Sequence, residues 1–390
     1  MIVARVILAP HARALKRHPW IFKNEVLKIE GSPEDGGMVD VISSRGYFVG
    51  RGYFNSSSKI VVRILTRKRE EISRSFFHSK IKSALTYRLN YRWNDSNAFR
   101  VVYSESDGIP GLIVDKFGEY LIVQFNTLGI EKLKSVIVDV LRELLDPVGI
   151  YEKDDEPSRK REGLEKSEGW ILGKGPELIP FKLNGLNFLC DTHGQKTGFF
   201  LDQRINAWFL SRFRFARFLD VFCYTGNFTV HCLANGGGEA TMVDYSERAL
   251  EVARLNLKSN NIGLGKVRMI RANAFDYLKS MQGVKAFDAV FLDPPSLAKS
   301  SHSLDAALRG YKELNLRALK LLKNGGLLAT SSCTRIVSRE AFEEVIRSAA
   351  RDTRVSLKRV FTSGQPPDHP ECLHVPETSY LKFNVYMVGV

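Results

Sequence analysis

The sequence predicts an α/β protein in which a mostly parallel sheet with helices on both faces fills the C-terminal half, preceded by a small β-barrel and a small α/β domain. From Thr192 onward, apolar runs of strand length alternate with helix-compatible stretches, as in doubly wound folds. Residues 1–66 carry short alternating apolar runs separated by Gly and Ser, which is typical of a small barrel. The length of 390 residues exceeds the usual size of one hydrophobic core, so two or three domains are expected.

Composition is that of an ordinary globular protein, with 44% hydrophobic and 26% charged residues. No apolar run reaches membrane-spanning length, and residues 1–13 lack the apolar segment and cleavage site of a secretory signal. We therefore expect a cytoplasmic protein without a membrane partner. The five cysteines are odd in number and widely scattered, which favours reduced thiols over a disulfide framework. The chain has no paired C-x-x-C motif, and no metal site is predicted.

Positive charge is concentrated near the N-terminus. The formal net charge is +14, and the first 100 residues hold 19 Lys and Arg against 8 Asp and Glu. A solvated basic surface would explain this distribution, and so would a module that binds nucleic acid by releasing counterions from phosphates.

Cations and aromatic residues interleave just before the predicted barrel strands. Lys16 and Arg17 could bind phosphates, and Trp20 and Phe22 could stack on bases. For either aromatic ring alone, a place in the core is the competing interpretation. These four residues are candidate RNA-binding residues.

Gly, Pro and Ser divide the chain into four predicted segments. They are a small β-barrel (1–66), a basic helical connector (67–97), a small α/β domain (98–180) and a large α/β domain (181–390). Strands are predicted at residues 38–42, 47–50, 60–65, 101–103, 112–115, 120–125, 266–271, 287–292 and 327–330. Helices are predicted at residues 70–92, 130–145 and 246–260, the last with Ser246 as its N-cap. The charged run 153–168 is expected to be an exposed loop, and Asn184-Gly185 predicts a hairpin.

The stretch 218–228 predicts a strand, a turn and a helix of a nucleotide-binding domain. Its apolar run ends at Gly226, which lets the backbone approach a ligand beside the next helix. About twenty residues later, a second apolar run ends at Asp244, where doubly wound folds place an acid on ribose hydroxyls. The turn lacks the full G-x-G-x-x-G motif of dinucleotide enzymes. This favours a nucleoside ligand without a pyrophosphate, of which S-adenosylmethionine is the commonest.

The segment Asp293-Pro294-Pro295-Ser296 follows a predicted strand directly. The two prolines fix the backbone and remove two amide donors, so the carboxylate of Asp293 can face a planar base edge. A proline-terminated strand without a function is the competing interpretation. Methyltransferases acting on exocyclic amines usually carry an aromatic residue after the prolines, and Ser296 stands there instead. This argues against amine methylation.

Cys333 follows the predicted strand 327–330 and is a candidate nucleophile. A lone cysteine is more often a small buried hydrophobe, but this one belongs to the same sheet edge as Asp293. C5 of a pyrimidine becomes nucleophilic only after a thiolate adds to C6, which is a task for cysteine. Asp293 would hold the N3/N4 edge, and Arg335 would stabilise the thiolate or hold a phosphate.

Taken together, these residues resemble those of the RlmI family of bacterial and archaeal class I methyltransferases, which form 5-methylcytosine in large-subunit ribosomal RNA. The motifs that carry the resemblance are Arg17-His18-Pro19-Trp20-Ile21-Phe22, Gly194-Gln195-Lys196-Thr197-Gly198-Phe199-Phe200-Leu201-Asp202-Gln203-Arg204, Phe222-Cys223-Tyr224-Thr225-Gly226, Asp293-Pro294-Pro295, Arg309-Gly310-Tyr311-Lys312 and Ser332-Cys333. The resemblance spans essentially the whole chain. It implies a PUA-like N-terminal domain, a small α/β middle domain and a Rossmann-like class I methyltransferase domain.

The resemblance also implies S-adenosylmethionine as cofactor, 23S ribosomal RNA or a large-subunit assembly intermediate as partner, and Cys333 with Asp293 as catalytic residues. The implied cofactor-binding residues are Gln195, Thr197, Gly198, Phe200, Asp220, Phe222, Tyr224, Thr225, Gly226, Asp244, Asn273 and Asp293. Asp244 would hold the ribose, and Asn273 would lie near the adenine, where relatives usually carry Asp. Relatives often have Lys at the position of Ser296, so no contact of that side chain is carried over.

Five questions stay open at the level of sequence. Uridine-C5 methylation uses the same cysteine chemistry, and a ribosome-assembly protein that binds RNA without catalysis could keep the same fold. In another large group of RNA cytosine-C5 enzymes a second cysteine serves product release, but Ser296 stands at that position, so a different base must remove the C5 proton. Some relatives form homodimers, and no stretch of this sequence decides the oligomeric state or the target nucleotide.

Overall fold

The structure is a computed structural model that describes residues 3–281, 284–298 and 301–389. The chain forms two compact units. The first comprises Met1–Lys182, Cys190–Leu201 and Pro367–Thr378, and the second comprises Leu183–Leu189, Asp202–Pro366 and Ser379–Val390. A search of the described helices finds none with both the length and the apolar character needed to span a bilayer.

The first unit begins with a six-stranded sheet. Its strands are β1 (Arg5–Leu8), β2 (Trp20–Phe22), β3 (Val26–Glu30), β4 (Met38–Ser43), β5 (Phe48–Phe54) and β6 (Ile60–Thr66), in the spatial order β2-β6-β5-β4-β1-β3. The strands predicted at residues 38–42, 47–50 and 60–65 are confirmed, and β5 runs on to Phe54. The β1–β4 pair is parallel, and the remaining pairs are antiparallel. Inward side chains such as Val6, Val39 and Val62 are fully buried and form the core of this sheet.

A five-stranded sheet with four helices follows in the first unit. The elements are α1 (Arg74–Leu89), β7 (Ala98–Tyr103), β8 (Leu112–Phe117), β9 (Tyr120–Phe125), α2 (Leu128–Lys132), α3 (Lys134–Leu145), β10 (Gly149–Lys153), α4 (Glu156–Lys160) and β11 (Glu168–Gly173). The sheet order is β11-β10-β9-β8-β7. Phe77 and Ile81 of α1 lie in one core cluster with Tyr53 and Leu65 of the first sheet and with Val114 of β8. The predicted connector therefore supplies core residues, and the segment boundaries at residues 66, 97 and 180 stay predictions.

The helix predicted over residues 130–145 is two helices. Leu133, between α2 and α3, has φ −101° and ψ 7°, outside the helical region. Beside it, Lys134 Nζ lies 2.6 Å from Glu131 Oε1 and 2.6 Å from Glu152 Oε1. Asp146 ends α3 in the left-handed conformation, with φ 41°. The predicted end of the helix at residue 145 is thus confirmed, whereas the apolar spacing does not reveal the break at Leu133.

The prediction that residues 153–168 form an exposed loop is wrong. The run contains α4, whose N-cap Asp155 accepts a hydrogen bond from Ser158 N, and it buries Arg159 and Glu162. Arg159 Nη1 lies 2.6 Å from Glu131 Oε2, and Glu162 pairs with Arg63 at 2.8 Å. Charged residues can be buried here because each charge meets an opposite one.

Three carboxylates of this region, Glu131, Glu152 and Asp154, approach one another closely enough to hold a metal ion. Lys134 and Arg159 already pair with them. Burial, together with the neighbouring Glu152, raises the pKa of Asp154 to about 8, which keeps this carboxyl neutral at neutral pH. The cluster is therefore balanced by side-chain cations and a proton, and gives no support for a metal site.

The predicted hairpin consists of β12 (Leu178–Leu183) and β13 (Leu186–Asp191). Asn184 and Gly185 form its turn with φ 53° and 82°, the left-handed pair that a two-residue hairpin needs. The hairpin prediction is confirmed.

The second unit is built on a seven-stranded sheet in the order β16-β15-β14-β17-β18-β20-β19. Its strands are β14 (Arg217–Val221), β15 (Glu239–Asp244), β16 (Val267–Arg271), β17 (Phe287–Leu292), β18 (Leu322–Ser332), β19 (Ser356–Ser363) and β20 (Lys382–Gly389). Its helices are α5 (Arg204–Leu210), α6 (Asn227–Ala234), α7 (Glu247–Ser259), α8 (Ala274–Ser280), α9 (Leu304–Leu321) and α10 (Arg339–Thr353). The pairs from β16 to β18 are parallel, and β20 is antiparallel to both of its neighbours.

This topology agrees with the predicted mostly parallel sheet. Phe218, Leu219 and Val290 are fully buried, as expected for parallel strands covered by helices on both faces. Ser246 accepts a hydrogen bond from Ala249 N and caps α7, as predicted. The strand order reverses between β14 and β17, and ligands of such sheets bind at the carboxyl ends of the strands at this switch point.

Candidate active site

The turn after β14 holds backbone conformations that are rare for residues with side chains. Phe222 and Tyr224 have φ of 65° and 46°, and Gly226, the N-cap of α6, has φ 84°. A Cβ atom on Gly226 would lie 2.9 Å from Met242 Cε, the far end of a flexible side chain that can shift, so the turn requires glycine for its backbone conformation rather than for space. Such conformations persist where neighbouring structure over-determines them, which is common at ligand sites.

Asp244 ends β15 and holds this turn. Its Oδ2 accepts a hydrogen bond from Tyr224 N at 2.9 Å, and its Oδ1 accepts one from Ser246 N at 2.8 Å. Each carboxylate oxygen keeps a further lone pair, and the residue is half-buried. Asp244 can therefore position the turn and still accept hydrogen bonds from a diol.

Several buried polar atoms around the turn have no hydrogen-bond partner among the described residues. They are Asp202 Oδ1, Asp220 Oδ1, Thr225 Oγ1, Asn227 Oδ1 and Asn227 Nδ2. Unsatisfied buried polar groups are rare and costly, and each calls for a specific explanation. A polar ligand at the carboxyl end of β14 would supply the missing partners. The residues present thus fit a cofactor such as S-adenosylmethionine, with its amino, carboxylate and hydroxyl groups.

Burial raises the pKa of Asp220 to about 7, and the carboxylate of Asp244 contributes to the rise. Thr229 Oγ1 donates a hydrogen bond of 2.6 Å to Asp220 Oδ2, which opposes this change. Asp220 can therefore be protonated near neutral pH, and its free Oδ1 can donate or accept.

Asn273 follows β16 and caps α8. Its side-chain oxygen accepts hydrogen bonds from Phe275 N at 2.9 Å and from Asp276 N at 3.4 Å. The side chain is exposed. An N-cap role therefore explains the residue type at this position, and a contact with adenine stays a prediction.

Four of the predicted cofactor residues, Gln195, Thr197, Gly198 and Phe200, belong to the first unit. Thr197 Oγ1 donates a hydrogen bond of 2.6 Å to the buried Asp115, and Thr197 O accepts one from Cys190 Sγ. Both polar groups of Thr197 thus hold this loop to its own unit.

Gly198 has φ 97°, and a Cβ atom there would lie 2.5 Å from Asp191 O and 2.6 Å from Cys190 Sγ. Only glycine fits at this position. Gln195 is exposed and Phe200 is half-buried. The structure explains Thr197 and Gly198 by loop geometry, and cofactor roles for all four residues stay predictions.

Asp293 begins the loop after β17 and is held by a chain of hydrogen bonds. Gln203 Nε2 donates to Asp293 Oδ1 at 2.8 Å, and Ser331 Oγ donates to the same oxygen. Asn206 Nδ2 donates to Gln203 Oε1 at 2.6 Å, and Ser363 Oγ donates to Asn206 Oδ1 at 2.5 Å. The chain fixes the carboxyl of Asp293 in one orientation.

Burial raises the pKa of Asp293 to about 7, despite the hydrogen bonds from Ser331 and Gln203. The carboxylates of Asp202 and Asp220 add to the rise. At neutral pH this carboxyl is therefore near its titration midpoint, and it can act as a hydrogen-bond donor or acceptor.

Cys333 follows β18 directly, beside the loop that begins with Asp293. Its Sγ lies 3.7 Å from Pro294 O, to which the thiol donates a weak hydrogen bond. Thr334 Oγ1 ties the two loops together, since Leu297 N donates to it at 3.1 Å and Ser296 Oγ lies 3.2 Å away. The thiol and the carboxyl thus lie at one edge of the sheet, on adjacent strands, as the sequence predicts.

Burial raises the pKa of the Cys333 thiol to about 12, and the carboxylates of Asp293 and Asp202 raise it further, whereas Lys382 lowers it. Cys333 therefore rests as a thiol at neutral pH. All five cysteines are free thiols, and Cys333 and Cys372 are the two that are not fully buried.

The candidate RNA-binding residues differ in exposure. Lys16, Arg17 and Arg335 are exposed, and Arg335 lies two residues after Cys333. Trp20 is half-buried, and its Nε1 donates a hydrogen bond of 2.8 Å to Glu105 Oε1. Phe22 is also half-buried, with the Arg13 guanidinium 4.4 Å from its ring centre. The two rings already have partners within the first unit, and the three cations are accessible.

Sequence reasoning missed Gln203, Ser331 and Lys382. Gln203 lies in one of the motifs quoted above and Ser331 lies next to another. Their closeness to these motifs is a signal by which they could have been found. Lys382 carries no such signal, because only the β18–β20 register brings it opposite Ser332.

Comparisons with known proteins identify two parts of the chain. A profile of PUA-like domains matches residues 7–67, and a profile of S-adenosylmethionine-dependent methyltransferases matches residues 159–383. Ribosomal RNA large subunit methyltransferase I from Klebsiella pneumoniae subsp. pneumoniae is 36% identical over 375 residues, which is 94% of each chain. The protein of the same name from Escherichia coli is 35% identical over the same length and coverage.

A solved structure from Streptococcus mutans, described as a SAM-dependent methyltransferase, superimposes with a TM-score of 0.82 over 98% of this chain and 100% of its own, at 21% identity. This likeness supports the fold. The methyltransferase profile covers more than half of the chain, and the curated relatives align along nearly all of it. The chain therefore belongs to the family of S-adenosylmethionine-dependent methyltransferases that includes ribosomal RNA large subunit methyltransferase I, which confirms the resemblance, the cofactor and the PUA-like N-terminal domain.

Proposed function

We propose that the protein methylates C5 of a cytosine in RNA through a covalent bond between Cys333 Sγ and C6 of the base. The observation that carries the proposal is the pairing of a thiol and a carboxyl at adjacent strand ends, with Cys333 Sγ 3.7 Å from Pro294 O of the loop that Asp293 begins. The names of the relatives favour large-subunit ribosomal RNA as the substrate.

The proposed chemistry uses the thiol twice. Cys333 loses its proton, its sulfur adds to C6, and the electron pair of the C5–C6 double bond moves towards C5. S-adenosylmethionine supplies the methyl group that C5 takes, leaving S-adenosylhomocysteine. A base then removes the C5 proton, the S–C6 bond breaks, and the sulfur recovers its electron pair.

Asp293 would bind the N3/N4 edge of the cytosine. A carboxyl with a pKa of about 7 can donate a proton towards N3 and accept a hydrogen bond from the exocyclic amine. Donation to N3 withdraws electrons from the ring, which favours addition at C6. Gln203 and Ser331 bind the same carboxylate oxygen, Oδ1, so Oδ2 is the atom proposed to face the base.

The twelve residues named above for cofactor binding are proposed to bind S-adenosylmethionine, with Asp244 on the ribose. Lys16, Arg17 and Arg335 are proposed to bind RNA phosphates, because all three are exposed cations. Trp20 and Phe22 would contribute through the ring surfaces that their partners in the first unit leave open.

The test is methyl transfer from labelled S-adenosylmethionine to ribosomal RNA from a host that lacks this protein. Wild type, Cys333→Ala and Cys372→Ala are compared, and products are identified by nucleoside digestion and mass spectrometry. Cys372 is the matched control, because it is the other cysteine that is not fully buried. We expect 5-methylcytosine from wild type and Cys372→Ala, and a loss of about two orders of magnitude or more in Cys333→Ala, with S-adenosylmethionine binding retained.

Each other outcome has a distinct meaning. Unchanged turnover in Cys333→Ala would exclude the covalent adduct. If 5-methyluridine were the sole product, the substrate base would be uridine. Tight RNA binding without transfer to any RNA fraction would favour a role in ribosome assembly instead.

A further inference from the structure

Lys382, the first residue of β20, is a buried lysine beside the candidate nucleophile. It lies opposite Ser332 in the antiparallel β18–β20 pair, and it is 7% exposed. Its Nζ donates a hydrogen bond of 2.7 Å to Thr334 O. The residues on either side of Cys333 thus both contact Lys382, one through strand pairing and one through this hydrogen bond.

Within the described part of the chain, no carboxylate forms an ion pair with Lys382. Its charged or titratable neighbours are Cys333, whose thiolate would stabilise the ammonium, and Arg339, which repels it. Burial and Arg339 lower the pKa of Lys382 to about 8, and Cys333 opposes this shift. A buried cation without an anion is costly, so its retention at this position requires an explanation.

We propose that Lys382 is a positioning residue whose ammonium stabilises the thiolate of Cys333. In this step the S–H bond breaks, the proton passes to solvent, and the electron pair stays on sulfur next to the ammonium. The proposal rests on the proposed function, because it gives the lysine a role through the nucleophile of that reaction.

The charges around Cys333 make such a cation necessary. Asp293 and Asp202 both raise the pKa of the thiol, and Lys382 is the neighbouring group that lowers it by charge. The Tyr311 hydroxyl also faces this region, 2.6 Å from Thr334 Oγ1. Its pKa is raised, chiefly by burial, so it stays neutral and adds no charge.

The experiment measures alkylation of Cys333 by iodoacetamide between pH 6.5 and 10, in the full chain without RNA, with site-resolved mass spectrometry. Variants are Lys382→Met, Lys382→Arg and the control Lys358→Met, an exposed lysine on the adjacent strand β19. An opposite charge nearby lowers a thiol pKa by about one unit or more. We therefore expect alkylation of Lys382→Met at pH 7.5 to be about tenfold slower than that of wild type. Lys382→Arg should stay within roughly threefold of wild type, because the charge remains, and Lys358→Met should match wild type.

The pH profile separates this electrostatic role from a structural one. In wild type the logarithm of the rate should rise with pH and flatten near pH 8, where the ammonium loses its proton and its effect on the thiolate. In Lys382→Met the rise should continue without this change of slope. A wild-type profile without flattening, or equal rates in wild type and Lys382→Met, would overturn the proposal. If the variant does not fold, the wild-type profile alone still tests the proposal.

Failure of this proposal and failure of the proposed function give different results. Alkylation needs neither RNA nor cofactor, so it reports on the coupling of Lys382 to Cys333 alone. If Cys333→Ala abolishes methyl transfer but Lys382→Met does not change alkylation, the covalent adduct is supported and the proposed role of Lys382 is excluded. Methyl transfer that is unchanged in Cys333→Ala would remove the adduct and, with it, the role proposed for the lysine.

Discussion

Asp220 makes the folding stability of this protein depend on pH in a direction opposite to that of an ordinary surface carboxylate. Its pKa is raised to about 7, chiefly by burial, against an unfolded value of about 3.9. The folded state therefore holds the proton more tightly than the unfolded state between these values. Its contribution to stability is fully present below pH 4 and is lost as pH rises towards 7.

Replacing Asp220 by Asn should therefore stabilise the protein at pH 8 relative to wild type, and much less so at pH 4.5. The Asn oxygen can still accept the hydrogen bond from Thr229, and no charge has to be buried. A gain on the order of 1–3 kcal/mol at pH 8 is expected. Urea unfolding at both pH values measures it.

The matched control is Asp288→Asn, which is expected to change the stability at pH 8 in the opposite direction. Partial burial raises the pKa of Asp288, but hydrogen bonds from Lys323 and Arg217 N lower it overall. Its carboxylate stabilises the folded state above its unfolded pKa, so the Asn variant should be less stable than wild type at pH 8. An Asp220→Asn variant with the same pH dependence as wild type would contradict the burial argument.

At the scale of residues, sequence reasoning succeeds where a side chain acts within a few positions of its own motif. Ser246 as an N-cap and the strand-end positions of Asp293 and Cys333 could all be read from local pattern. Lys382 could not, because only strand register brings it next to Cys333. Gln203 lies in a motif, but its partner Asp293 could not be read locally, because the hydrogen bond joins residues 90 positions apart. Local periodicity contains no information about such pairings.

At the scale of elements, too, the sequence predicts correctly what depends on local residues and fails where distant residues decide. β9 and β17 begin and end where their apolar runs do, because a buried strand needs nothing beyond its own side chains to mark its length. The charge of residues 153–168 wrongly predicts an exposed loop, because the burial of this run depends on partners such as Arg63 in β6. High charge predicts exposure only when opposite charges from distant strands are absent.

The buried pair of Arg63 and Glu162 gives a prediction at this scale. Arg63 Nη2 lies 2.8 Å from Glu162 Oε1 and Nη1 lies 3.1 Å from Oε2, and Ser58 Oγ donates to Glu162 at 2.6 Å. Glu162→Leu leaves a buried guanidinium without its anion and should destabilise the protein by about 3–5 kcal/mol. The double variant Arg63→Met/Glu162→Leu should lose less, because no unpaired charge remains.

Denaturant unfolding of the single and double variants measures both effects. Glu344→Gln is the control, because Glu344 pairs with Arg351 on an exposed face of α10, where such pairs contribute about 1 kcal/mol or less. A Glu162→Leu variant no less stable than this control would contradict the importance of the buried pair.

At the scale of the whole molecule, the composition reveals an excess of positive charge near the N-terminus. Folding alone does not require this excess. A truncation of residues 1–66 would be a poor test of its role. Tyr53 and Leu65 belong to the same core cluster as Phe77 and Val114, so the deletion would expose that core. Substitutions of exposed cations change the charge and leave the core intact.

The double variant Lys16→Gln/Arg17→Asn tests the proposed RNA contact of the first unit. Arg17 has φ 71°, a left-handed conformation that Asn tolerates, so the backbone should not change. If both cations bind phosphates, RNA affinity should fall, and the slope of log affinity against log salt should decrease by about 1 to 2. Filter binding to ribosomal RNA fragments at several salt concentrations measures the slope.

The control for this variant is Lys82→Gln/Lys174→Gln, which removes the same formal charge from two exposed lysines elsewhere in the first unit. Binding of S-adenosylmethionine by both variants, followed by calorimetry, should equal that of wild type. If affinity and slope fall equally in both double variants, the basic character of the unit acts as a diffuse field. A fall confined to Lys16→Gln/Arg17→Asn would instead identify the turn before β2 as a specific phosphate contact, because the control variant removes the same charge from other positions of the unit.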